Sequence, residues 1–181
     1  MRFALTILKA AATLFASSAF DPDDLQKLKD THDCAKCKLK GANLKGANLK
    51  GVNLEGANLE GAKLKGADLR DANLEGAYLS SADLTGADLR RANLRRANLS
   101  SADLEDARMK EVNLEDARMK EANLEDANLE GANMRGAFLL FANLEDTNLT
   151  GADLTGANIS RAILCNTIMP DKSVIHSGRV K

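Results

Sequence analysis

The chain is poor in the residues from which most enzyme sites and most globular cores are built. Its 181 residues include no tryptophan, one tyrosine and five phenylalanines, so that aromatics make up 3 %. The only histidines, His32 and His176, lie outside the regular central stretch, as do both prolines. These shortages exclude a broad aromatic core and leave little material for histidine-based catalysis or for a histidine metal site.

A strong net charge and a long apolar run are also missing. The formal net charge is −1 at pH 7, which gives no electrostatic indication of binding to nucleic acid or to an anionic membrane. No segment after residue 19 approaches the roughly 18 consecutive apolar residues that span a bilayer. We therefore expect no nucleic-acid partner and no membrane span in the mature chain.

What the chain has in abundance is one five-residue pattern. From Leu39 to Leu164 an apolar residue recurs at every fifth position, giving 26 units, and 22 of these centre residues are leucine. The residue two before each centre is small, and it is alanine in 22 units. Asn or Asp usually lies between the two, as in the unit A-N-L-K-G at residues 42–46.

A five-residue period fits neither of the common elements. On a helix, which turns about 100° per residue, successive centres would spiral around the axis and form no buried stripe. On a straight strand an odd spacing would send successive centres to opposite faces. A coil that bends between units directs every centre and every small residue inward and leaves three positions facing solvent. The pattern therefore predicts a solenoid in which only neighbouring coils touch.

The A-[N/D]-L-x-x unit resembles the repeat of the pentapeptide-repeat family, over about 130 residues of this chain. The resemblance implies an all-β fold, a right-handed quadrilateral β-helix with four units per coil. The units would then make between six and seven coils, a rod about 30 Å long at one strand spacing per coil. We place this β-helix at residues 34–169.

Residues 1–19 have the pattern of a secretory signal peptide. Arg2 supplies a positive start, an apolar segment follows as far as Phe15, and small residues ending at Ala19 offer a cleavage site. Lys9 interrupts the apolar segment, so an uncleaved amphipathic helix is the alternative. We predict export to the periplasm, the thylakoid lumen or the extracellular space.

Residues 20–33 predict a short N-terminal capping helix. Asp21 is suited to the cap position and Pro22 to the first turn, while Leu25 and Leu28 would share one side of the helix. The helix would cover the first coil, because a stacked fold must hide its terminal edge. This lead-in is similar to that of many exported pentapeptide-repeat proteins of bacteria, including cyanobacteria.

Cys34 and Cys37 are the only chemically suggestive pair, and both fall at inward positions of the pattern. Export favours a local disulfide that locks the cap to the coil. Two buried structural thiols are a second interpretation. A redox or metal-binding pair, with His32, is a third, although zinc usually takes four ligands. We predict no metal and no cofactor.

Residues 170–181 predict a C-terminal capping tail. Pro170 stops the pattern and begins a turn, from which Val174 and Ile175 can return over the last coil. The end of the repeat resembles that of exported family members, in which a second cysteine commonly follows. Here none follows Cys165, so this residue is a free thiol, an intermolecular link or a tolerated surface residue.

Residues twenty apart should stack on neighbouring coils, which brings seven cations together. One interpretation is a solvated surface neutralised by nearby carboxylates; the other is an anion-binding ladder for a phosphate-bearing or acidic partner. On another wall Glu105, Glu125 and Glu145 stack in the same way. The cations are Lys50, Arg70, Arg90 and Lys110 in one register, with Arg91, Arg95 and Arg96 at the adjoining corner; the neutralising carboxylates would be Asp68, Asp71, Asp88 and Glu111.

An apolar group near the end of the repeat falls at outward positions. It consists of Phe138, Leu140 and Phe141. Such a cluster usually marks a contact. One interpretation is that the tail at Val174 and Ile175 folds over it, and the other is contact with a protein partner or with a second copy.

Catalysis finds no support in the sequence, since the carboxylates are evenly spread and a packed β-helix offers no cleft. We predict an exported, non-enzymatic structural or binding scaffold that contacts either an unknown protein partner or a second copy of itself near the C-terminus. The resemblance also implies an alternative, a DNA-mimicking protein that protects a topoisomerase such as gyrase. That activity would favour an acidic rod without a signal peptide. A thiol-redox protein using Cys34 and Cys37 is a third class.

Overall fold

The computed structural model describes residues 20–176 and Gly178. The predicted signal peptide at residues 1–19 lies outside these residues. The elements of the described chain, in order, are helix α1 (Pro22–Thr31), a long coil, and the strands β1 (Thr167–Ile168) and β2 (Val174–Ile175). Within the described chain no helix has the length and hydrophobicity of a membrane-spanning segment.

The coil closes one turn every twenty residues. Each residue before a centre forms a parallel β-bridge with the residue twenty positions later, from Asp33 with Asn53 to Asn148 with Ile168. One turn therefore contains four five-residue units, the number that the resemblance implied. Backbone hydrogen bonds join each unit to the one above, as when the N–H of Leu94 donates to a carbonyl of the next coil at 2.7 Å.

The four units of each turn stack into four walls along the rod. We name each wall by its centre residues and count the turn that follows each centre with that wall. Wall A is centred on Leu39 and every twentieth residue to Ile159, wall B on Leu44 to Leu164, wall C on Leu49 to Met169, and wall D on Cys34 to Leu154.

Each wall ends in a two-residue turn whose second residue has a positive φ. Across the coil these φ values lie between 54° and 72°. Glycine adopts this left-handed conformation without strain, which explains why glycine ends so many units. Where glycine is absent, Asp, Glu, Arg or Ser usually takes the position.

The core is a column of centre residues and small residues, and the predicted inward assignment is confirmed. From Leu54 to Leu149 all of these side chains are buried. Burial weakens only at the two ends of the column, for example at Ala47, Leu154 and Ile159.

Two buried threonine hydroxyls were not predicted. Thr147 and Thr167 occupy small-residue positions of wall C, and each donates a hydrogen bond to a carbonyl 23 residues earlier, at 2.8 Å and 2.6 Å. A polar group is thereby accommodated in the column without losing its hydrogen bond.

Helix α1 covers the N-terminal end of the column. Asp21 caps it by accepting a hydrogen bond from the N–H of Asp23 at 3.0 Å, and Leu28 is buried against the core. The helix is tied to the first coil at Lys38, whose N–H donates to the Asp24 carboxylate at 2.7 Å and whose carbonyl accepts from the N–H of Asp21 at 2.8 Å. The terminal edge of the coil is thus paired here.

The tail returns over the opposite end. Strands β1 and β2 pair antiparallel, with Thr167 opposite Ile175 and Ile168 opposite Val174. The N–H of Leu164 donates to the carbonyl of Gly178 at 3.1 Å. The described tail therefore lies along the last units of walls B and C.

Candidate binding surfaces

The predicted cation ladder lies on walls C and D and is neutralised within the chain. Lys50, Arg70, Arg90 and Lys110 occupy successive rungs of wall C. Six of the seven predicted cations have a carboxylate oxygen within 4.0 Å, and within the described chain Lys50 has none. The pairs are Arg70 with Asp68, Arg90 with Asp88, Arg91 with Asp71, Arg95 with Glu75 and Glu115, Arg96 with Asp116, and Lys110 with Glu130.

The arginine pairs of wall C are charge-assisted and mostly bidentate. Arg70 donates to both carboxylate oxygens of Asp68, at 2.8 Å and 2.6 Å, and this hydrogen bonding lowers the pKa of Asp68 to about 2. Arg90 binds Asp88 in the same way and lowers its pKa. These intramolecular pairs agree with the neutralised surface that the sequence also allowed. The anion-binding ladder stays a prediction, because the paired arginine side chains remain 34–61 % exposed.

Wall D carries a ladder of asparagine side chains. From Asn53 to Asn133 each Nδ2 donates to the side-chain oxygen one rung earlier, and the first rung donates to Asp33 at 3.0 Å. Each asparagine Oδ1 also accepts the N–H two residues later, which holds the following turn. Wall D is therefore satisfied internally along almost its whole length.

Wall A carries every large apolar side chain of the coil that is exposed. Tyr78 is 55 % exposed, Phe138 50 % and Phe141 41 %, while Leu140 beside them is half-buried. We call Phe138, Leu140 and Phe141 the aromatic patch.

Two arginines flank the aromatic patch. Arg118 lies directly below Phe138 on the same column, and the Arg161 guanidinium lies 5.3 Å from the centre of the Phe141 ring. Exposed aromatic and arginine side chains are the types enriched in protein interfaces. Wall A therefore has the composition of a contact surface.

The tail does not cover the aromatic patch, contrary to one of the two interpretations of the sequence. Val174 and Ile175 pair with wall C instead, and Phe138 and Phe141 remain exposed in the described structure. The turn at Pro170 follows wall C, so a strand that folds straight back meets the unit that precedes it. Contact with a protein partner or a second copy is the other interpretation, and it stays a prediction.

Tyr78 was not among the residues that the sequence predicted to form a contact. It shares the column of Phe138, since the two positions differ by sixty residues, a multiple of twenty. Counting along the sequence in steps of twenty would have placed this single tyrosine at an outward position in line with Phe138.

Wall B is charged, but its carboxylates accept hydrogen bonds only from neutral groups in the described structure, as Glu125 does from the Asn143 amide at 3.1 Å. Glu105, Glu125 and Glu145 do stack on successive rungs. None of the charged side chains of wall B forms an ion pair among the described residues. Its acidic run is Asp83, Asp103, Glu105, Asp106, Glu125, Asp126, Glu145 and Asp146, and its lysine end is Lys45, Lys63 and Lys65.

The cysteines lie at the two ends of the rod. Cys34 and Cys37 are both buried and are joined at disulfide distance, with their Cα atoms 5.2 Å apart. Cys165 is half-buried and free, and burial together with Glu145 and Asp146 raises the pKa of its thiol. A raised thiol pKa opposes thiolate reactivity.

No candidate metal site is found among residues 20–176 and Gly178. In that part of the chain no group of three His, Cys, Asp or Glu side chains is placed to hold a metal ion. His32 ends helix α1 in a left-handed conformation, with φ 54°, so it serves as a helix cap.

The chain is similar to one family along most of the coil. The family model described as "Pentapeptide repeats (8 copies)" matches residues 37–76, 72–110, 107–140 and 139–169. A comparison with curated proteins found no match.

Several solved structures are also similar. HetL, a pentapeptide repeat protein involved in heterocyst differentiation regulation from the cyanobacterium Nostoc sp. strain PCC 7120, is 34 % identical, covering 79 % of this chain and 78 % of its own, with a TM-score of 0.33. A pentapeptide repeat protein of the Arabidopsis thaliana thylakoid lumen is 29 % identical (54 % and 71 % covered, TM-score 0.36). QnrB1, a plasmid-mediated fluoroquinolone resistance protein, is 21 % identical (69 % of each chain covered, TM-score 0.35).

Proposed function

Because this chain belongs to the pentapeptide-repeat family, we propose that it is a non-enzymatic scaffold which binds a protein partner through wall A. Proteins of this family are generally structural scaffolds, and their coil, which we take to be right-handed here as well, presents flat walls. The aromatic patch is the contact surface of the proposal. Catalysis has no place in it.

The observation that carries the proposal is the position of the exposed apolar side chains. Tyr78, Phe138 and Phe141 all lie on wall A, although outward positions are distributed equally over four walls. Burying an aromatic ring at an interface removes apolar area worth about 25 cal/mol per Å². Arg118 and Arg161 add polar contacts at the rim of the same surface.

We further propose that the protein works in an exported, oxidising compartment. The signal-like pattern of residues 1–19 and the lead-in to the first unit support export. The pairing of Cys34 and Cys37 at disulfide distance agrees with such a compartment, because cytosolic thiols are kept reduced.

Intact mass of the protein purified from its own host, with and without thiol alkylation, tests the export proposal. We expect a chain that begins at Phe20, with Cys34 and Cys37 protected from the alkylating reagent and Cys165 modified. A full-length chain with three modified cysteines would refute it.

The partner proposal is tested by photo-crosslinking in the native host. A benzophenone amino acid is placed at Phe138 and, as a matched control, at Asn128, which is exposed at the same position of a unit on wall C. We expect one discrete protein adduct from position 138 and none from position 128. Replacing Phe141 with Ser in the same chain should remove the adduct without lowering thermal stability. Equal adducts from both positions would refute the proposal.

The alternative function, topoisomerase protection by DNA mimicry, has one observation in its favour. The acidic run of wall B presents unpaired carboxylates on successive rungs about 4.8 Å apart. Walls C and D, in contrast, are neutralised within the chain, and the formal net charge is −1. A gyrase supercoiling assay separates the two functions, since protection of supercoiling by the purified chain would replace the scaffold proposal.

A further inference from the structure

The unpaired carboxylates of the coil are concentrated on one wall. Ten carboxylates between residues 34 and 169 form no ion pair in the described structure, and eight of them are the acidic run of wall B. The other two are Glu55 on wall D and Glu111 on wall C. Wall B therefore differs from its neighbours in leaving its charge uncompensated.

Like charges on adjacent rungs repel each other, so the acidic run weakens the coil when it stands alone. In the column of Glu105, Glu125 and Glu145 no cation separates one carboxylate from the next. On wall C, by comparison, Asp68 and Asp88 each have an arginine beside them. Cations from outside the chain would relieve this repulsion.

The same wall supplies such cations at its other end. Lys45, Lys63 and Lys65 are exposed, and none has a carboxylate within 4.0 Å in the described chain. Wall B is therefore basic over its first two coils and acidic from the third coil onward. A surface with one charge at each end is complementary to itself when a second copy lies antiparallel to it.

We propose that two copies of this chain associate face to face and antiparallel through wall B, about a twofold axis near Thr85. The axis lies between the two faces and runs perpendicular to the rod. It therefore reverses the order of the coils but places each outward position of a unit opposite the same position in the other copy. Lys45 then meets Glu125, Lys65 meets Glu105, and Lys63 meets Asp103. The axis makes each of these pairs twice, which gives a network rather than an isolated surface ion pair.

The shape of wall B permits this approach. Its outward positions between Asn43 and Asn143 carry no aromatic side chain. The turn residues at the lysine end are Gly46, Gly66 and Gly86, whose backbones leave open space around them. One unfavourable feature is Asp83, which meets Asp83 of the other copy beside the axis.

Sedimentation velocity of the chain that begins at Phe20 tests the proposal. At about 20 mM sodium chloride we expect a dimer, and at about 500 mM a monomer, because salt screens the pairs that hold the two faces together. A monomer at low salt, at every concentration up to about 200 μM, would overturn the proposal.

Charge reversal tests whether the dimer depends on the lysines of wall B in particular or on the positive charge of this end of the rod in general. Lys45→Glu with Lys63→Glu and Lys65→Glu should abolish the dimer. The matched control is Lys36→Glu with Lys38→Glu and Lys50→Glu, which changes the net charge equally on walls D, A and C and should leave the dimer intact. Equal loss in both variants would contradict the role of wall B, and melting curves of both show that they fold.

Two further substitutions test the register and the direction. Asp83→Asn should strengthen association at least about tenfold, since it removes the one repulsive pair near the axis. In a Cys165→Ser background, a mixture of Lys45→Cys and Glu125→Cys chains should form an intermolecular disulfide, whereas Lys45→Cys chains alone should not. A crosslink within the Lys45→Cys chains alone indicates parallel faces and overturns the antiparallel arrangement.

Discussion

The Nδ2 atom of Asn113 donates a hydrogen bond to Oδ1 of Asn93, 3.2 Å away and one coil earlier, while its own Oδ1 accepts from Asn133 at 3.1 Å. The amide is thus both a donor and an acceptor along the rod. A carboxylate has the same shape but has no donor, so the ladder of wall D depends on the amide.

Asn113→Asp should therefore lower the free energy of unfolding by about 1 kcal/mol at pH 7, through one lost hydrogen bond and a charge next to Glu115. The loss should shrink near pH 3, where the introduced carboxyl is protonated and can donate. The control is Asn128→Asp, because in the described structure the Asn128 side chain makes only the turn hydrogen bond with the N–H of Glu130. Equal losses in the two variants would contradict the ladder.

Leu94→Lys should prevent the rod from folding. Leu94 is fully buried in the middle of the column, and an unpaired ammonium there would lose its hydration without gaining a partner. Leu94→Met should cost less than about 1.5 kcal/mol, since methionine already occupies the same position at residues 109, 119 and 134. Thermal melting followed by circular dichroism compares the two, and an unchanged melting temperature for the lysine variant would show that the centre residues do not point inward.

Asp68→Asn should destabilise the fold in a pH-dependent way. The pKa of Asp68 in the folded chain, about 2, lies below its ordinary value of 3.8, so the carboxylate stabilises the fold at and above pH 4 and loses this effect as the pH falls through 2. We expect a loss of about 1 kcal/mol at pH 7, reduced from the full value because the side chain is 29 % exposed and solvent screens the pair.

The matched control for this pH dependence is Asp83→Asn. Asp83 occupies the same position of its unit and accepts the N–H of Thr85, but it has no arginine partner in the described structure. Denaturant unfolding of dilute protein between pH 2 and pH 7 measures the free energy of unfolding of each variant relative to the unchanged chain. For Asp68→Asn alone, this difference should become smaller as the pH falls towards 2. If the stability difference of Asp68→Asn did not change with pH, the ion pair with Arg70 would be excluded as its cause.

Gly76→Val should cost about 1–2 kcal/mol, whereas Gly76→Asn should change stability by less than about 0.5 kcal/mol. The φ of Gly76 is 62°, a conformation that asparagine tolerates and a β-branched residue does not. A Cβ at this position meets no atom within 4 Å, so crowding plays no part. Equal melting temperatures for the two variants would show that backbone conformation does not limit this turn.

The fold follows from the sequence because it depends on a pattern that every unit repeats. The assignment of inward positions rests only on the spacing of Leu and Ala, and the structure buries these side chains from Leu54 to Leu149. The surface depends instead on residues twenty apart. The stacking of Lys50 and Arg70 could be predicted by counting, but the selection of Asp68 as the partner of Arg70 depends on side-chain conformation.

The tail could not be predicted in the same way. Val174 and Ile175 lie beyond the last repeat unit, so the five-residue pattern does not predict which wall they contact. The antiparallel pairing with β1 is decided by the turn at Pro170 and by backbone hydrogen bonds, for which the side chains give no signal. Thr147 and Thr167 were likewise hidden, since a threonine in a small-residue position shows its hydrogen bond only once the coil above and below it is formed.

The core and the surface of the rod repeat with different periods. The core repeats every five residues, so removing a single unit such as residues 86–90 keeps every later leucine inward. The surface repeats every twenty residues, so the same deletion moves all later residues by one wall and takes Phe138 away from the column of Tyr78. Gain or loss of one unit thus rebuilds the outside of this rod while sparing its inside, and only changes in steps of four units preserve both.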